Sequence, residues 1–585
     1  MNEFWNLDPM YKGFDDPAFE ADLTAAKAKL DTFEMLMAQL SAMDPAQGLR
    51  EGIAMQEEIS DLLGKLVQYA MLRQSANTKD TEAGSNVGRV LAMYSRIAAP
   101  AAAFQNWAAK LPNLMELVMA DEKLKNYEFL FRNMQENVRY LLPGQGEEIM
   151  ARMQLTGSNA WSDLQGYLTS TVPVSYNGGT TNLSAIRNLA HDADPAVRKA
   201  AYEAELQCYD RIKDAVAFSM NSIKLETINE CQLRGYESPL DRVLKGSYMK
   251  RETLDAMLSA MDEYLPKFWQ YLQVKAKALG HEKGLPWYDL FAPMGASSTK
   301  FTAESARDFL VQLFREFNPE EADMIAEAFD NAWIDFYPRD GKSGGAFCAG
   351  VESLGESRIL TNFCGTFSDV VTLAHELGHA YHNLCIRDHL PLNHEYSMPV
   401  AETASTFNEC VVMAAAIEKA ADKAEKLALI ESQLQDATQI ICDIYSRYRF
   451  ETMVFENREG QFMDAETLCD MMLQAQKQCY GDGLNHDVLH PYMWLNKSHY
   501  YGSSFYNFPY AFGGLFARGL YAQYEKEGAA FVPKYKKLLF TTTVATAEDT
   551  AKVAGIDLTD KAFWCSALQT IADQIDLFCQ LLEEK

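Results

Sequence analysis

No segment of the chain runs through about eighteen apolar residues without a break, so no membrane-spanning helix is expected. Nothing like a linker interrupts its 585 residues: there is no long proline-, glycine- or serine-rich run, no low-complexity tract and no fixed-period repeat. The opening MNEFWNLDPMYKGFDD lacks a basic stretch followed by an apolar one and does not read as a secretory signal. Eleven cysteines are present, but none forms a CxxC pair. Scattered thiols in a long chain read as reduced core residues rather than a disulfide framework. The expected compartment is the cytoplasm. Basic residues are also short, 53 Lys and Arg against 81 Asp and Glu, a net charge of −28. Such a surface repels a phosphate backbone, so no nucleic-acid partner is expected. No sequence signal speaks to oligomeric state.

What is plentiful is helical periodicity. Residues 16–40 carry apolar side chains at helical spacing behind an aspartate cap, and similar patterns fill most of 46–170. Residues 169–183 alternate around Asn177-Gly178-Gly179, a hairpin signal. Helical patterns resume near 194 and continue to about 335. Two short strands are expected at 344–351 and 357–363. Helices then run to the C-terminus, with an aromatic loop at 499–514. The expected fold is mainly α with a small β-sheet, divided near 190 into an N-terminal helical lobe (1–190) and a catalytic region (191–585).

Histidines are scarce at ten, yet three lie in TLAHELGHAYH, residues 372–382. On a helix over 366–385, Thr366 and Asp369 form a capping box. Val370, Leu373, Leu377, Tyr381 and Leu384 make an apolar stripe, with His375, His379 and His382 near the opposite face. His375 and His379, one turn apart, can hold one Zn²⁺, and Glu376 beside them is placed as general base toward a metal-held water. A catalytic zinc site needs a third ligand. A metzincin would carry glycine at 382 and histidine at 385, where this chain has His382 and Cys385. His382, His389 and His394 are near in sequence, but His382 would ligate from the same helix at awkward spacing. Glu402 in SMPVAETASTFNEC is preferred. On a helix opened by Ser397 and Pro399, Glu402, Ser405, Thr406 and Glu409 share a face, and Glu409 can orient a ligand histidine. His486 and His490 are also four apart, but Pro491 and the missing glutamate favour a structural role.

SRILTNFCGTFSDVVTLAHELGHAYH followed by AETASTFNE resembles the oligoendopeptidase F family, relatives of the thimet-oligopeptidase group of zinc peptidases. FWNLDPMYKGFDDPAFEADL and HYYGSSFYNFPYAFGG are similar to its two ends. The resemblance implies a large two-lobed helical body enclosing a substrate channel, zinc on its floor and hydrolysis of short peptides. It implies His375, His379 and Glu402 as zinc ligands, Glu376 as base, and His499, Tyr506 and Tyr510 around the tetrahedral intermediate. Phe508 and Gly513 depart from the family pattern there.

The reading is a zinc metalloendopeptidase of oligopeptides, one Zn²⁺ per chain. An extended substrate would add to the strand edge at Gly345, Ala346 and Phe347. The alternatives are a zinc carboxypeptidase or dipeptidase, which needs a fixed cation for the terminal carboxylate, and an inactive peptide- or zinc-binding protein, which has no need of Glu376.

Overall fold

Asp-Pro pairs open three of the helices. Pro17–Gln39, Pro45–Ala76 and Pro195–Tyr209 each begin on a proline whose missing N–H costs nothing in a first turn. The preceding Asp16, Asp44 and Asp194 accept from the backbone N–H of Ala18, Gln47 and Ala196. In a computed structural model that describes residues 2–143, 145–295 and 299–583, helices of this kind make up most of the chain. Among the described residues no helix is long and apolar enough to cross a membrane. The expected hairpin is β1 (Val174–Tyr176) with β2 (Gly179–Thr181). Asn177 and Gly178 have φ of 48° and 76°, the left-handed backbone that a two-residue turn of matching twist requires.

The second sheet is β3 (Ile334–Asp335), β4 (Phe347–Val351) and β5 (Glu356–Leu360), in the order β3-β5-β4. β3 runs parallel to β5; β4 runs antiparallel, with Phe347 opposite Leu360 and Val351 opposite Glu356. The expected strand at 344–351 therefore starts at Phe347, since Gly345 has φ of 78° and turns the chain before it.

The described apolar core falls into three clusters. The first joins Trp5 through Met134 with Val351 and Leu360. The second runs from Ile228 to Leu581 and includes Ile359. Leu360 and Ile359 point to opposite faces, as strand geometry requires, so the small sheet is shared between two cores. The third joins Val172–Ile223 to Phe450–Tyr501. The division expected near 190 falls inside that third cluster. The first core ends near Met134, and residues from Val172 onward pack with the C-terminal half.

Candidate active site

The helix Phe367–Ile386 starts as its sequence predicts. Thr366 and Asp369 form the capping box, with Asp369 N donating to Thr366 Oγ1 at 3.2 Å and Thr366 N to Asp369 Oδ2 at 2.8 Å. Val370, Leu373, Leu377 and Tyr381 are buried against the second core. The sheet lies on another side, where Asn383 Nδ2 donates to Ser357 Oγ at 3.1 Å.

A second helix, Thr403–Lys419, crosses the first. Gly378, between the two histidines of the motif, makes that crossing close. A Cβ there would stand 2.6 Å from Ala404 O and from Ser405 Cα. The segment before it departs from the expected continuous helix. Met398–Ala401 is one turn, the Ser397 side chain makes no cap bond, and the chain breaks at Glu402 (φ −90°, ψ 8°). Ser405 Oγ donates to Glu402 O at 3.1 Å and to Glu402 Oε2 at 2.9 Å, holding the carboxylate at the break. Gly513, on the helix Phe508–Glu527, keeps the third wall close: a Cβ there would lie 3.2 Å from Glu402 Cβ.

The result is convergence. Glu402 Oε2 lies 3.3 Å from His375 Nε2 and 3.4 Å from His379 Nε2. One donor atom from each of His375, His379 and Glu402 falls within 4.8 Å of the others. His375 turns its other nitrogen to Glu409 Oε1 at 2.6 Å. Burial alone would lower His375, but hydrogen bonds to Glu402 and Glu409 push it up to about 10. Burial would raise Glu402, and the two imidazoles hold it well below the carboxylate range. Glu376 is buried, and burial raises its carboxyl, while His375 and His379 pull the other way. The space facing Glu402 thus suits a cation.

The remaining histidines are used elsewhere. His382 is buried with Nε2 2.8 Å from Thr542 Oγ1, is stacked on Tyr396 at 4.3 Å, and is pushed down to about 3 by burial. It does not face outward with His375 and His379, because Tyr396 and Thr542 cover the helix there. His389 contacts Phe540 O, His394 the carbonyl of His389, and His486 the carbonyl of Gly481. His490 is buried 3.3 Å from Glu205.

His499, Tyr506 and Tyr510 form one ring cluster, with centroid separations of 5.0, 5.9 and 5.7 Å. Burial, then the Tyr506 hydroxyl and the Glu402 carboxylate, push Tyr510 up to about 12, which ties the cluster to the cation site. Tyr506 Oη lies beside the Tyr510 hydroxyl and 3.8 Å from Met398 Sδ. The turn presenting it is strained: Phe505 has φ of 51° and is held by stacking on Phe455 at 5.3 Å. A buried network fixes the turn's ends. Lys224 Nζ donates to Glu451 Oε1 at 2.7 Å and Ser503 O at 3.3 Å, and Asn507 Nδ2 donates to Glu451 Oε2 at 2.8 Å. Neither this network nor Gly378 was singled out from sequence. A glycine between two candidate ligand histidines is a readable signal of close helix approach; the network, assembled from three distant segments, leaves none.

Gly345, Ala346 and Phe347 lead into β4, an outer strand. The Gly345 carbonyl accepts from Asn362 Nδ2 at 2.8 Å, and the Gly350 carbonyl from Gln68 Nε2. The Phe347 ring faces the N-terminal core, 6.2 Å from Trp5. Cys348 faces the other way, its thiol raised by burial and by the Glu376 carboxylate.

A helical body with two histidines one turn apart, a carboxylate from a crossing helix and a buried glutamate between them is the arrangement of an HExxH metallopeptidase. The sequence profile of Peptidase family M3 matches residues 188–570, and that of Oligopeptidase F matches residues 112–172. The chain belongs to peptidase family M3. It is 24% identical over 593 residues to Oligopeptidase PepF of Bacillus subtilis (strain 168), covering 99% of this chain and 86% of that one. It is 23% identical over 591 residues to an Oligoendopeptidase F homolog of Lactococcus lactis subsp. lactis (strain IL1403), covering 99% and 97%. The fold is shared with a solved chain from Chlamydophila abortus (TM-score 0.86, 21% identity, 99% and 98% covered). It is also shared with oligoendopeptidase-F from Enterococcus faecium (TM-score 0.73, 17% identity, 97% and 99% covered).

Proposed function

We propose that the chain is a zinc-dependent endopeptidase of short oligopeptides, with His375, His379 and Glu402 as ligands of one Zn²⁺ per chain. The convergence of those three groups beside buried Glu376 supports this most directly. Two imidazoles and one carboxylate are a donor set typical of catalytic zinc, and Glu409 fixes the tautomer and orientation of His375. When bound, the ion supplies a Lewis acid that polarises the scissile carbonyl and eases deprotonation of water. Glu376 takes the proton of the attacking water and delivers it to the leaving amine, a role suited to a carboxyl that burial has raised. Tyr506, whose hydroxyl is held by Tyr510 and a weak sulfur contact, donates to the developing oxyanion with His499 and Tyr510 around it. The substrate adds to β4 between the occupied carbonyls of Gly345 and Gly350, along Ala346, Phe347 and Cys348, and Cys348 brings that edge next to Glu376. The lobes enclose this groove, the protein works in the cytoplasm, and the N-terminal lobe ends near Met134 rather than at 190.

The test is mass spectrometry of products from an oligopeptide blocked at both ends. Internal cleavage that stops with chelator and returns with added zinc is the expected result. A blocked peptide left intact while its unblocked twin loses C-terminal residues establishes the carboxypeptidase reading instead.

A further inference from the structure

We propose that a cavity with Lys497 in its wall, two residues before His499 in the chain, is a substrate subsite that binds a peptide carboxylate. This rests on the peptidase reading above. The cavity, of ≈ 210 Å³, lies between the segments 186–205, 287–291 and 439–443 and the short helix that leads to Lys497. Its charges pair one by one. Arg187 donates to Glu205 Oε1 at 2.5 Å. Arg198, buried, donates to Asp289 Oδ1 at 2.8 Å. Asp443, buried on a π-helical turn, holds Arg447. Lys497 remains. Among the described residues it makes no hydrogen bond and no ion pair, and it is half-buried in the wall of the cavity.

An unmatched ammonium in a largely desolvated cavity favours an anion that brings its own charge. Asp443 and Glu205 favour its charge from across the cavity but neither bonds it, because each is engaged: Glu205 also accepts from Tyr209 at 2.9 Å, and Asp443 is held by Arg447. Burial pushes Lys497 down to about 8, so at neutral pH it is still mostly a cation. Its place relative to the chemistry follows from the chain. Lys497 is two residues before His499, and Lys497 and Arg447 both add to the burial that lowers His499. A carboxylate on Lys497 would therefore hold a peptide with its backbone close to the His499–Tyr506 cluster. The feature stands out on a protein of net charge −28, whose outer field repels acidic peptides. Selection for a carboxylate is thus local to this cavity.

Two carboxylates could fill it: a Glu or Asp side chain, or the C-terminal carboxylate of a short peptide. Three quenched fluorogenic peptides of one sequence separate them, with the zinc-loaded full-length protein. One has neutral side chains and a C-terminal amide, one differs by a free C-terminal acid, and one keeps the amide but carries Glu near the cut. We expect kcat/KM for one carboxylate peptide to exceed that of the neutral peptide by about ten- to a hundredfold, the effect of one charge-assisted hydrogen bond. That ratio should collapse toward one in Lys497→Met and largely return in Lys497→Arg. Binding of the same peptides to the Glu376→Gln protein, followed by fluorescence anisotropy, gives the ratio without turnover. Equal rates for all three peptides in the unaltered protein overturn the subsite while leaving the peptidase reading intact, as does a ratio that survives in Lys497→Met. Cleavage of none of them would instead defeat the peptidase reading, and a subsite that still holds shows the preference by anisotropy.

Discussion

The close crossing at Gly378 makes a sharp test, because it sets the proposed metal site by distance alone. Gly378→Ala adds one methyl group on the ligand helix, far smaller than any ligand. Its Cβ would stand 2.6 Å from Ala404 O and Ser405 Cα, and ordinary contact begins at 3.4 Å, so the two helices must separate by about 0.8 Å. The obstacle is backbone, which cannot rotate away. Two energies oppose each other. Alanine gains about 1 kcal/mol over glycine in a helix interior, while overpacking costs about 1–3 kcal/mol. The net loss of stability should be at most about 2 kcal/mol, so the protein still folds. The site is less tolerant. Metal–ligand distances hold to about 0.2 Å, and Glu402 rides on the displaced helix with Ser405. A misplacement of this size costs about a hundredfold in catalysis. Zinc affinity measured by competition with a chromogenic chelator should therefore fall at least tenfold and kcat/KM about a hundredfold, with a melting temperature only slightly lowered. A folded Gly378→Ala protein with zinc affinity and kcat/KM within twofold of the parent would refute the idea that this crossing sets the site.

Three further outcomes are expected. Glu376→Gln should fold and hold zinc, measured by metal analysis, but lose almost all turnover. Tyr506→Phe should lower kcat about 10²- to 10³-fold with KM changed far less, the cost of one oxyanion donor; a rise in KM alone would make Tyr506 a binding contact only. Glu321 should make stability pH-dependent. It is fully buried, with only the neutral amides of Asn318 and Asn408, which also donate to Tyr381 and Ala374 O, to favour its charge among the described residues. Burial pushes it up from 4.5 to about 8, so between those values the folded state holds a proton that the unfolded state has released. Stability should fall with rising pH across that window by at most about 1.4 kcal/mol per unit, and Glu321→Gln should remove the fall in urea titrations.

The parts of the site legible in the sequence were those whose signal is local. HELGH places both histidines and Glu376 one turn apart, and the Thr366–Asp369 cap places the helix start. The approach of Glu402 to the two histidines was legible, but the break that aims it was not: the spacing through 397–409 is helical throughout, and the Thr403 and Ser405 hydroxyls hold the interruption. His382 sits at nearly the same helical angle as His375, and only the packing of Tyr396 and Thr542 decides that it faces inward. β3 is two residues long, too short to show a period. The packing of Val172–Ile223 against Phe450–Tyr501 was not legible, because apolar periodicity says that a face is buried but not against what. Lys497 was invisible for the same reason, since its cavity draws on segments hundreds of residues apart.

The sheet shared between two cores has a consequence for how the chain is made. The first core is complete through Met134 except for Val351 and Leu360, which arrive with β4 and β5. Val351 follows Met134 by 217 residues. At about 5–20 residues per second of synthesis, that is a wait of roughly 10–40 s. During that time the N-terminal lobe leaves the ribosome with an apolar face that β4 and β5 will later cover. The newborn protein is therefore most prone to aggregation before the HELGH helix has been translated, and a chaperone acting on it would find its target away from the candidate site.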